Sequence, residues 1–337
     1  MPKKLIIQIP CYNEAGTLGI TLAELPREVP GIDTVEWLVV DDGSTDDTIG
    51  VARGGGVDYI VRNTTNQGLA RTFTKGVETC LRLGADIIVN TDADNQYCAG
   101  DIPALVAPII EGRADIVIGA RPIQAIEHFS LIKKFLQRLG SWVVRSVSRT
   151  DIPDAASGFR AMSRDAARRL VVFSEYTYTL ETIIQAGQKN IAITSVPIRV
   201  NKDLRPSRLV ESLPSYVGRS IGTIVRIFVI YRPFRFFGVI GAIFFVAGLL
   251  LGFRFLYEFM TGSGRGHVQS LILASILLGM GFQTFLIAFV ADLLAANRKL
   301  LEEIRFGIGQ SDPLDFELER ESRTLLAGVS TKRKETR

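Results

Sequence analysis

Asp92 and Asp94 stand two residues apart in Asn90-Thr91-Asp92-Ala93-Asp94-Asn95-Gln96, directly after the apolar run Ile87-Ile88-Val89. In an extended segment, side chains two apart point to the same side, so the two carboxylates can converge. Paired hard oxygen donors suit Mg²⁺ or Mn²⁺, which commonly shares its shell with substrate phosphates. Such an ion neutralises charge gathering on a departing diphosphate. An Asp-x-Asp pair by itself is a common turn sequence, so its companions decide what it means.

Three companions follow other apolar runs or open helices. Pro10-Cys11-Tyr12-Asn13-Glu14 comes after Leu5–Ile9, and Asp41-Asp42-Gly43-Ser44-Thr45-Asp46 after Val35–Val40. Carboxylates there can accept hydrogen bonds from ribose hydroxyls and a base N–H, but they are poor phosphate cradles. Neither a P-loop nor the G-x-G-x-x-G fingerprint is present. For Ser44 and Asp46, capping of the next helix is an equally good reading. Asn66-Gln67-Gly68-Leu69, with Arg71 behind it, places Gly68 where a helix opens toward a nucleotide.

Composition removes several other chemistries. With two histidines, His128 and His267, a histidine metal site or a Ser-His-Asp triad has almost nothing to draw on. Three cysteines, Cys11, Cys80 and Cys98, lack metal-site spacing and read as free thiols. The net charge is +4. The basic excess includes Lys133, Lys134, Arg138, Arg145 and Arg149, then the stretch Arg199 to Arg235, and Lys332-Arg333-Lys334. Beside a membrane segment, such a stripe fits anionic lipid and phosphate ligands better than nucleic acid.

The elements that must position these groups alternate in type. Strands are expected at Leu5–Ile9, Val35–Asp41, Tyr59–Arg62, Ile87–Thr91, Ile116–Ala120 and Ile191–Val196. Helices are expected near Thr17–Leu25, Thr45–Arg53, Gly68–Leu83 and Ile102–Gly112. Near-continuous apolar strands between helices predict a mostly parallel sheet covered on both faces. Ligands then bind at the carboxyl ends of the strands, where the polar motifs lie. Leu5–Ile9, closed by Pro10, is too short for a secretory h-region, so this domain is expected in the cytosol.

From residue 201 to 233 arginines, Arg205 and Arg219 among them, punctuate apolar residues at helical spacing, as in helices lying on a lipid surface. Phe236–Phe253 and Gly266–Ala291 contain no charged residue. Each approaches or exceeds the roughly 20 residues that cross a bilayer core. Arg232 and Arg235 flank the first and Arg298 and Lys299 the second, so the positive-inside rule puts both ends in the cytosol, joined by a short external loop. The predicted organisation is a catalytic domain over 1–200, amphipathic helices over 201–233, two transmembrane helices over 234–296, and a solvated charged tail over 297–337.

The motif order P-x-Y-N-E, D-D-G-S-T-D, N-x-G, D-A-D resembles that of inverting family 2 glycosyltransferases with an α/β, Rossmann-like GT-A fold. Asp154-Ala155-Ala156-Ser157-Gly158-Phe159-Arg160 resembles the D-x-x-S-G-F-R of the dolichol-phosphate mannose synthase branch, the polyisoprenyl-phosphate glycosyltransferases. With two C-terminal spans the chain is most similar to bacterial GtrB-type enzymes, which load glucose onto undecaprenyl phosphate. Gln137-Arg138-Leu139-Gly140-Ser141-Trp142 departs from the Q-x-x-R-W of processive synthases. The resemblance implies that Asp92 and Asp94 hold Mg²⁺ or Mn²⁺ and the diphosphate, with Gln96 nearby. It implies that Pro10, Tyr12, Asn13, Glu14, Asp42 and Gly68 serve the nucleotide-sugar. Asp154 falls where the family has its acceptor-side acid. It further implies cell-envelope glycosylation at the plasma membrane and a homo-oligomer, a tetramer. UDP-glucose is the implied donor, with GDP-mannose and UDP-N-acetylhexosamine as alternatives.

A phosphate monoester acceptor has a second pKa near 6 and is largely anionic at neutral pH. It needs positive charge to sit beside an anionic donor more than it needs a base. Arg121, Lys134, Arg138, Arg160 and Arg205 are the candidates. For Lys134 and Arg138, a solvated helix face is an equal reading. Asp154 is expected to orient the acceptor or Arg160 rather than to remove a proton, and Glu181 to form a structural ion pair. Two rivals remain: a nucleotidyltransferase, which would release pyrophosphate, and a membrane scaffold that binds nucleotide without turnover.

Overall fold

A computed structural model of the chain describes residues 2–122, 131–170, 172, 178–201, 222, 225–226, 229–261, 268–308 and 319–320. The chain divides into two compact units, Met1–Glu211 with Pro313–Arg337, and Ser212–Asp312.

Among the described residues the first unit has eight strands: β1 (Lys4–Cys11), β2 (Thr34–Asp41), β3 (Tyr59–Arg62), β4 (Ile87–Asn90), β5 (Ile116–Ala120), β6 (Arg160–Ser163), β7 (Ile193–Pro197) and β8 (Glu319–Arg320). They form one sheet in the order β7-β5-β6-β4-β1-β2-β3-β8. Its helices are α1 (Leu18–Glu24), α2 (Thr48–Gly54), α3 (Leu69–Arg82), α4 (Ile102–Ile110), α5 (Leu131–Ser148), α6 (Arg164–Arg169) and α7 (Thr179–Gln188). β1 is buried along nearly its whole length, as the central strand of a sheet covered on both faces must be. Leu5, Ile7, Ile9, Val39, Val89 and Val117 join Leu18 and Leu22 of α1 and Ile102, Leu105 and Val106 of α4 in the main core. On α3, buried Ala70, Phe73, Val77 and Cys80 recur at helical spacing.

The expectation of a mostly parallel sheet is corrected in one respect that matters. β1, β2, β3 and β4 pair in parallel, as do β5 and β7, but β6 runs antiparallel between β4 and β5. Sequence pattern did not reveal β6, because four residues beginning with Arg160 show no apolar run. Its direction has a consequence: the start of β6 lies at the carboxyl end of its neighbours, with Arg160 opposite Asn90. The loop before β6 therefore arrives at the edge where β1, β2 and β4 end. In the tail, expected to be solvated, Glu319 and Arg320 instead pair antiparallel with the edge strand β3; the rest of the tail beyond Ile308 lies outside the described residues, as do 202–221 of the amphipathic stretch.

The second unit contains two long helices, α8 (Pro233–Met260) and α9 (Val268–Ile308). α8 runs on to Met260, past the uncharged stretch that ends at Phe253. Both are long and apolar enough to cross a membrane, over Pro233–Met260 and Val268–Arg298. Only 11% and 17% of their most apolar windows is buried within the molecule, which distinguishes them from core helices. They pack on each other through small residues: a side chain at Gly281 would lie 2.8 Å from Phe245 N, and one at Gly248 2.9 Å from Leu278 N.

Candidate active site

The site is assembled from loops at one edge of the sheet. After β1, Asn13 adopts a left-handed conformation (φ 54°), which asparagine tolerates better than most residues. Its side-chain oxygen accepts the Thr45 N–H at 2.8 Å, and its own N–H donates to Ser44 Oγ at 2.8 Å. The Glu14 N–H donates to Thr48 Oγ1, and the Ala15 N–H to Asp46. The first two motifs are thus laced together. Asp46 also accepts the Thr48 N–H at 3.1 Å, the capping role weighed for it.

Asp42 is only 3% exposed. One oxygen accepts Asn63 Nδ2 (2.8 Å) and the Gln67 N–H (2.9 Å), and the other accepts the Gly68 N–H (2.9 Å). Three bonds leave little lone-pair capacity for a ligand, so Asp42 shapes the 63–68 loop. At neighbouring Gly43 (φ 73°) a Cβ would stand 2.9 Å from the Thr65 carbonyl carbon; only glycine lets these two backbones meet. Lys75 braces the loop from behind through Asn63 Oδ1 at 2.7 Å. Tyr12, at 40%, remains exposed beside Glu14, which is nearly buried. Pro10 lies within β1, and Gly68 caps the start of α3.

At the end of β4, Asp92 and Asp94 are both partly exposed. The Asp92 carboxyl is pushed up to about 7, first by burial and then by the adjacent Asp94 charge, against the pull of Arg121, Arg160 and a hydrogen bond from Tyr97. A pair held this way is short of positive charge. Among the described residues no group of three or more His, Cys, Asp or Glu side chains converges, so a cation here would draw on two carboxylates, with phosphate and water for the rest of its shell. That donor set fits Mg²⁺ or Mn²⁺. The Gln96 N–H donates to Asp94 Oδ1 (3.1 Å), and its carbonyl accepts the Asn201 N–H (2.9 Å).

The Asp154–Arg160 segment sits against Asp92, whose oxygens lie 3.1 Å from where a Cβ on Gly158 would stand. Asp154 takes the guanidinium of Arg121 in a fork, Nε to Oδ2 at 2.7 Å and Nη2 to Oδ1 at 3.1 Å. Their side chains are 1% and 10% exposed. Asp154 therefore holds Arg121 in a fixed plane, a partner beside the acceptor and Arg160 for which its orienting role is expected. Arg160 is fully buried. It donates to the carbonyls of Ser157 and Thr179 and to Thr182 Oγ1, with its guanidinium 5.1 Å from the Tyr178 ring centroid. That makes it an internal strut between β6 and α7. Glu181, expected in an ion pair, is buried in α7. The side chains of Lys134 and Arg138, on α5, and the whole of Arg205 lie outside the described residues.

Two participants, Tyr97 and Tyr178, escaped sequence reading, and a third, Asn90, showed only as the first residue of the Asp92 motif. Asn90 accepts from Gln8 Nε2 (2.9 Å) and donates to the Gly158 carbonyl (2.9 Å) and to Tyr178 Oη (3.0 Å). Tyr178 stacks on Phe73 at 3.8 Å, and Tyr97 on Phe159 at 5.1 Å. Their partners are remote in sequence, and the only available signal was the position of Tyr97 immediately after Gln96.

With this geometry in view, comparison with known proteins places the chain. The model of glycosyl transferase family 2 matches residues 6–171. An uncharacterized glycosyltransferase of Mycobacterium bovis is 34% identical over 182 residues, covering 54% of this chain and 78% of that protein. The chain belongs to glycosyltransferase family 2, and its first unit has the GT-A type of fold. An undecaprenyl-phosphate mannosyltransferase of Micrococcus luteus is 26% identical over 234 residues, 66% of this chain and 93% of the relative. Among solved structures, glucosyl-3-phosphoglycerate synthase of Mycobacterium tuberculosis, crystallised with Mn²⁺, UDP-glucose and phosphoglyceric acid, superposes with a TM-score of 0.51 at 20% identity, over 67% of this chain and 79% of that one. That likeness concerns the fold.

Proposed function

We propose that this protein transfers a hexose, with inversion, from a nucleotide-sugar to a polyprenyl phosphate at the cytosolic face of the plasma membrane. The observation that carries the reading is the Asp154–Arg121 fork beside the Asp92–Asp94 pair. A cation fixed next to a donor metal site suits an acceptor that is itself an anion. The Micrococcus luteus relative, named for undecaprenyl phosphate, supports the same acceptor class.

Asp92 and Asp94 would hold the divalent ion, which when bound neutralises charge on the donor diphosphate. Tyr12, Asn13 and Glu14 would line the nucleoside end, on a floor that Asp42 and Gly68 keep in place. Arg121 would receive the acceptor phosphate, with Asp154 holding its guanidinium in the plane that matches phosphate oxygens. Lys134, Arg138 and Arg205 are further cationic candidates for the lipid head. In a single displacement, an acceptor phosphate oxygen forms a bond to the anomeric carbon as the bond to the diphosphate oxygen breaks. The acceptor brings its own negative charge, so the protein's task is to hold two anions together and exclude water.

α8 and α9 would anchor the enzyme. Arg235 and Arg254 on α8 are separated by about 28 Å at 1.5 Å per residue, close to the roughly 30 Å hydrocarbon thickness. With Arg232, Arg235 and Arg298 on the cytosolic side, both ends of the chain lie in the cytosol. The residues over 201–233 would lie along the lipid surface, and a homo-oligomer, a tetramer by family resemblance, is part of the proposal.

For the donor we favour UDP-glucose on the resemblance to GtrB-type enzymes; the mannosyltransferase relative makes GDP-mannose the second reading. Membranes containing the protein, incubated with each labelled nucleotide-sugar, polyprenyl phosphate and Mg²⁺ or Mn²⁺, should place label in the lipid fraction, and Asp92→Asn membranes should not. No lipid label from any donor sinks the reading. Release of pyrophosphate would point to nucleotidyl transfer, and nucleotide binding without turnover to a scaffold.

A further inference from the structure

Tyr97 closes the loop that begins at Asp92, and it is tied down on every side. It is 4% exposed. Its ring stacks on Phe159 with centroids 5.1 Å apart and planes 10° from parallel. Its backbone forms an antiparallel bridge with Val200, and its carbonyl accepts Asn201 Nδ2 at 3.4 Å. The phenol oxygen accepts the N–H of Gly158 at 3.0 Å in a buried setting. That leaves the phenol one proton to donate, and a buried hydroxyl seeks an acceptor. The carboxyl it faces is that of Asp92. Its two carboxylate oxygens lie 3.1 Å from where a Cβ on Gly158 would stand, so Gly158, Tyr97 and Asp92 meet at one point. A side chain at residue 158 would also come within 2.9 Å of Tyr178 Oη.

The Gly158 N–H thus holds the Tyr97 oxygen in place against the Asp92 carboxyl. We infer that Tyr97 is a positioning residue, locking the metal-facing carboxylate of Asp92 to the backbone of the Asp154–Arg160 loop so that donor and acceptor groups share one rigid frame. This rests on reading Asp92 and Asp94 as the metal site. The physical reason is orientation. A carboxylate with one oxygen held by a phenol presents the other to a cation in a single rotamer, and partners that orient a ligand in this way govern metal affinity. The same phenol holds Gly158 four residues from Asp154, which holds Arg121.

The test is Mn²⁺ binding to the full-length protein in detergent, with UDP present, followed by electron paramagnetic resonance of the free ion. Tyr97→Phe keeps the ring and its stacking and removes only the hydroxyl. It should raise the Mn²⁺ Kd about tenfold or more and broaden the bound-ion spectrum, while kcat falls more than the donor KM rises. Phe159→Leu, which removes the ring stack and leaves the hydroxyl, is the control: it should lower the Tm and leave the Mn²⁺ Kd within about twofold. An unchanged Mn²⁺ Kd in Tyr97→Phe overturns the inference, as does an equal loss in Phe159→Leu, because then packing alone is responsible. If the wild-type protein itself binds no Mn²⁺ with UDP, the metal-site reading fails first.

Discussion

Arg121 and Asp154 are almost dehydrated, and neither can lose its partner cheaply. Removing one member of a buried pair strands the other charge at a cost of about 3–5 kcal/mol. Arg121→Ala should therefore lower the Tm as well as activity. Arg121→Lys keeps the charge but not the fork, and should retain more stability than Ala while still raising the KM for the lipid phosphate. Asp154→Asn tests the role of the acid directly. If Asp154 only orients Arg121, activity falls about 10²-fold or more, in line with a misplaced substrate-positioning group, and the loss is the same at every pH. Recovery of activity at high pH would show a base. Asp92 makes a second prediction. Without metal its carboxyl is pushed up to about 7, above the usual 3.9 or so of an unfolded chain. The folded state then holds the proton more tightly, so its contribution is full below about pH 4 and is lost as the pH rises toward 7. Metal-free wild-type protein should lose Tm across that window, and Asp92→Asn should flatten the loss and raise the Tm of metal-free protein at pH 8. A steeper loss in the variant contradicts this account.

At the scale of elements, the proposed nucleotide floor is made by one carboxylate reaching across two loops. Asp42 joins the end of β2 to the segment that opens α3. Asp42→Ala leaves Asn63 Nδ2 and two backbone N–H groups without their acceptor, at about 1–3 kcal/mol for each buried group left unsatisfied. The donor KM should rise and the Tm should fall, with the lipid KM little changed. A rise confined to the lipid KM would show that the 63–68 loop does not serve the nucleotide. The two loops of β1 and β2 lock together through Asn13, and the antiparallel β6 delivers the 154–160 loop to the same edge. Motif order alone could not show that juxtaposition. Residues 92 and 154 are far apart in sequence, and only strand direction brings them together.

For the molecule as a whole, the second unit is held by its own helix packing. Gly281 lies against the Phe245 and Gly241 backbone. In lipid, with no hydrophobic gain from helix pairing, such close packing supplies much of the association. Gly281→Leu should lower the stability of the purified protein in detergent by about 1–3 kcal/mol and leave nucleotide binding by the first unit unchanged; a loss of nucleotide binding would mean that the two units fold as one. Much was legible before any fold was known. The apolar lengths of Phe236–Phe253 and Gly266–Ala291 define two long helices because hydropathy is a local property. The polar clusters after Leu5–Ile9, Val35–Val40 and Ile87–Val89 mark strand ends because a strand buried on both faces must be apolar until it leaves the sheet. Asp92 and Asp94 were visible as a pair because they are two residues apart. What tertiary structure decided was partnership: that Asp154 grips Arg121 while Arg160 turns inward, that Asp42 spends its oxygens on a loop, and that Tyr97 ties Asp92 to Gly158. Those choices depend on where β6 inserts and which side chains it buries, and no local pattern along the chain records the direction in which a strand runs.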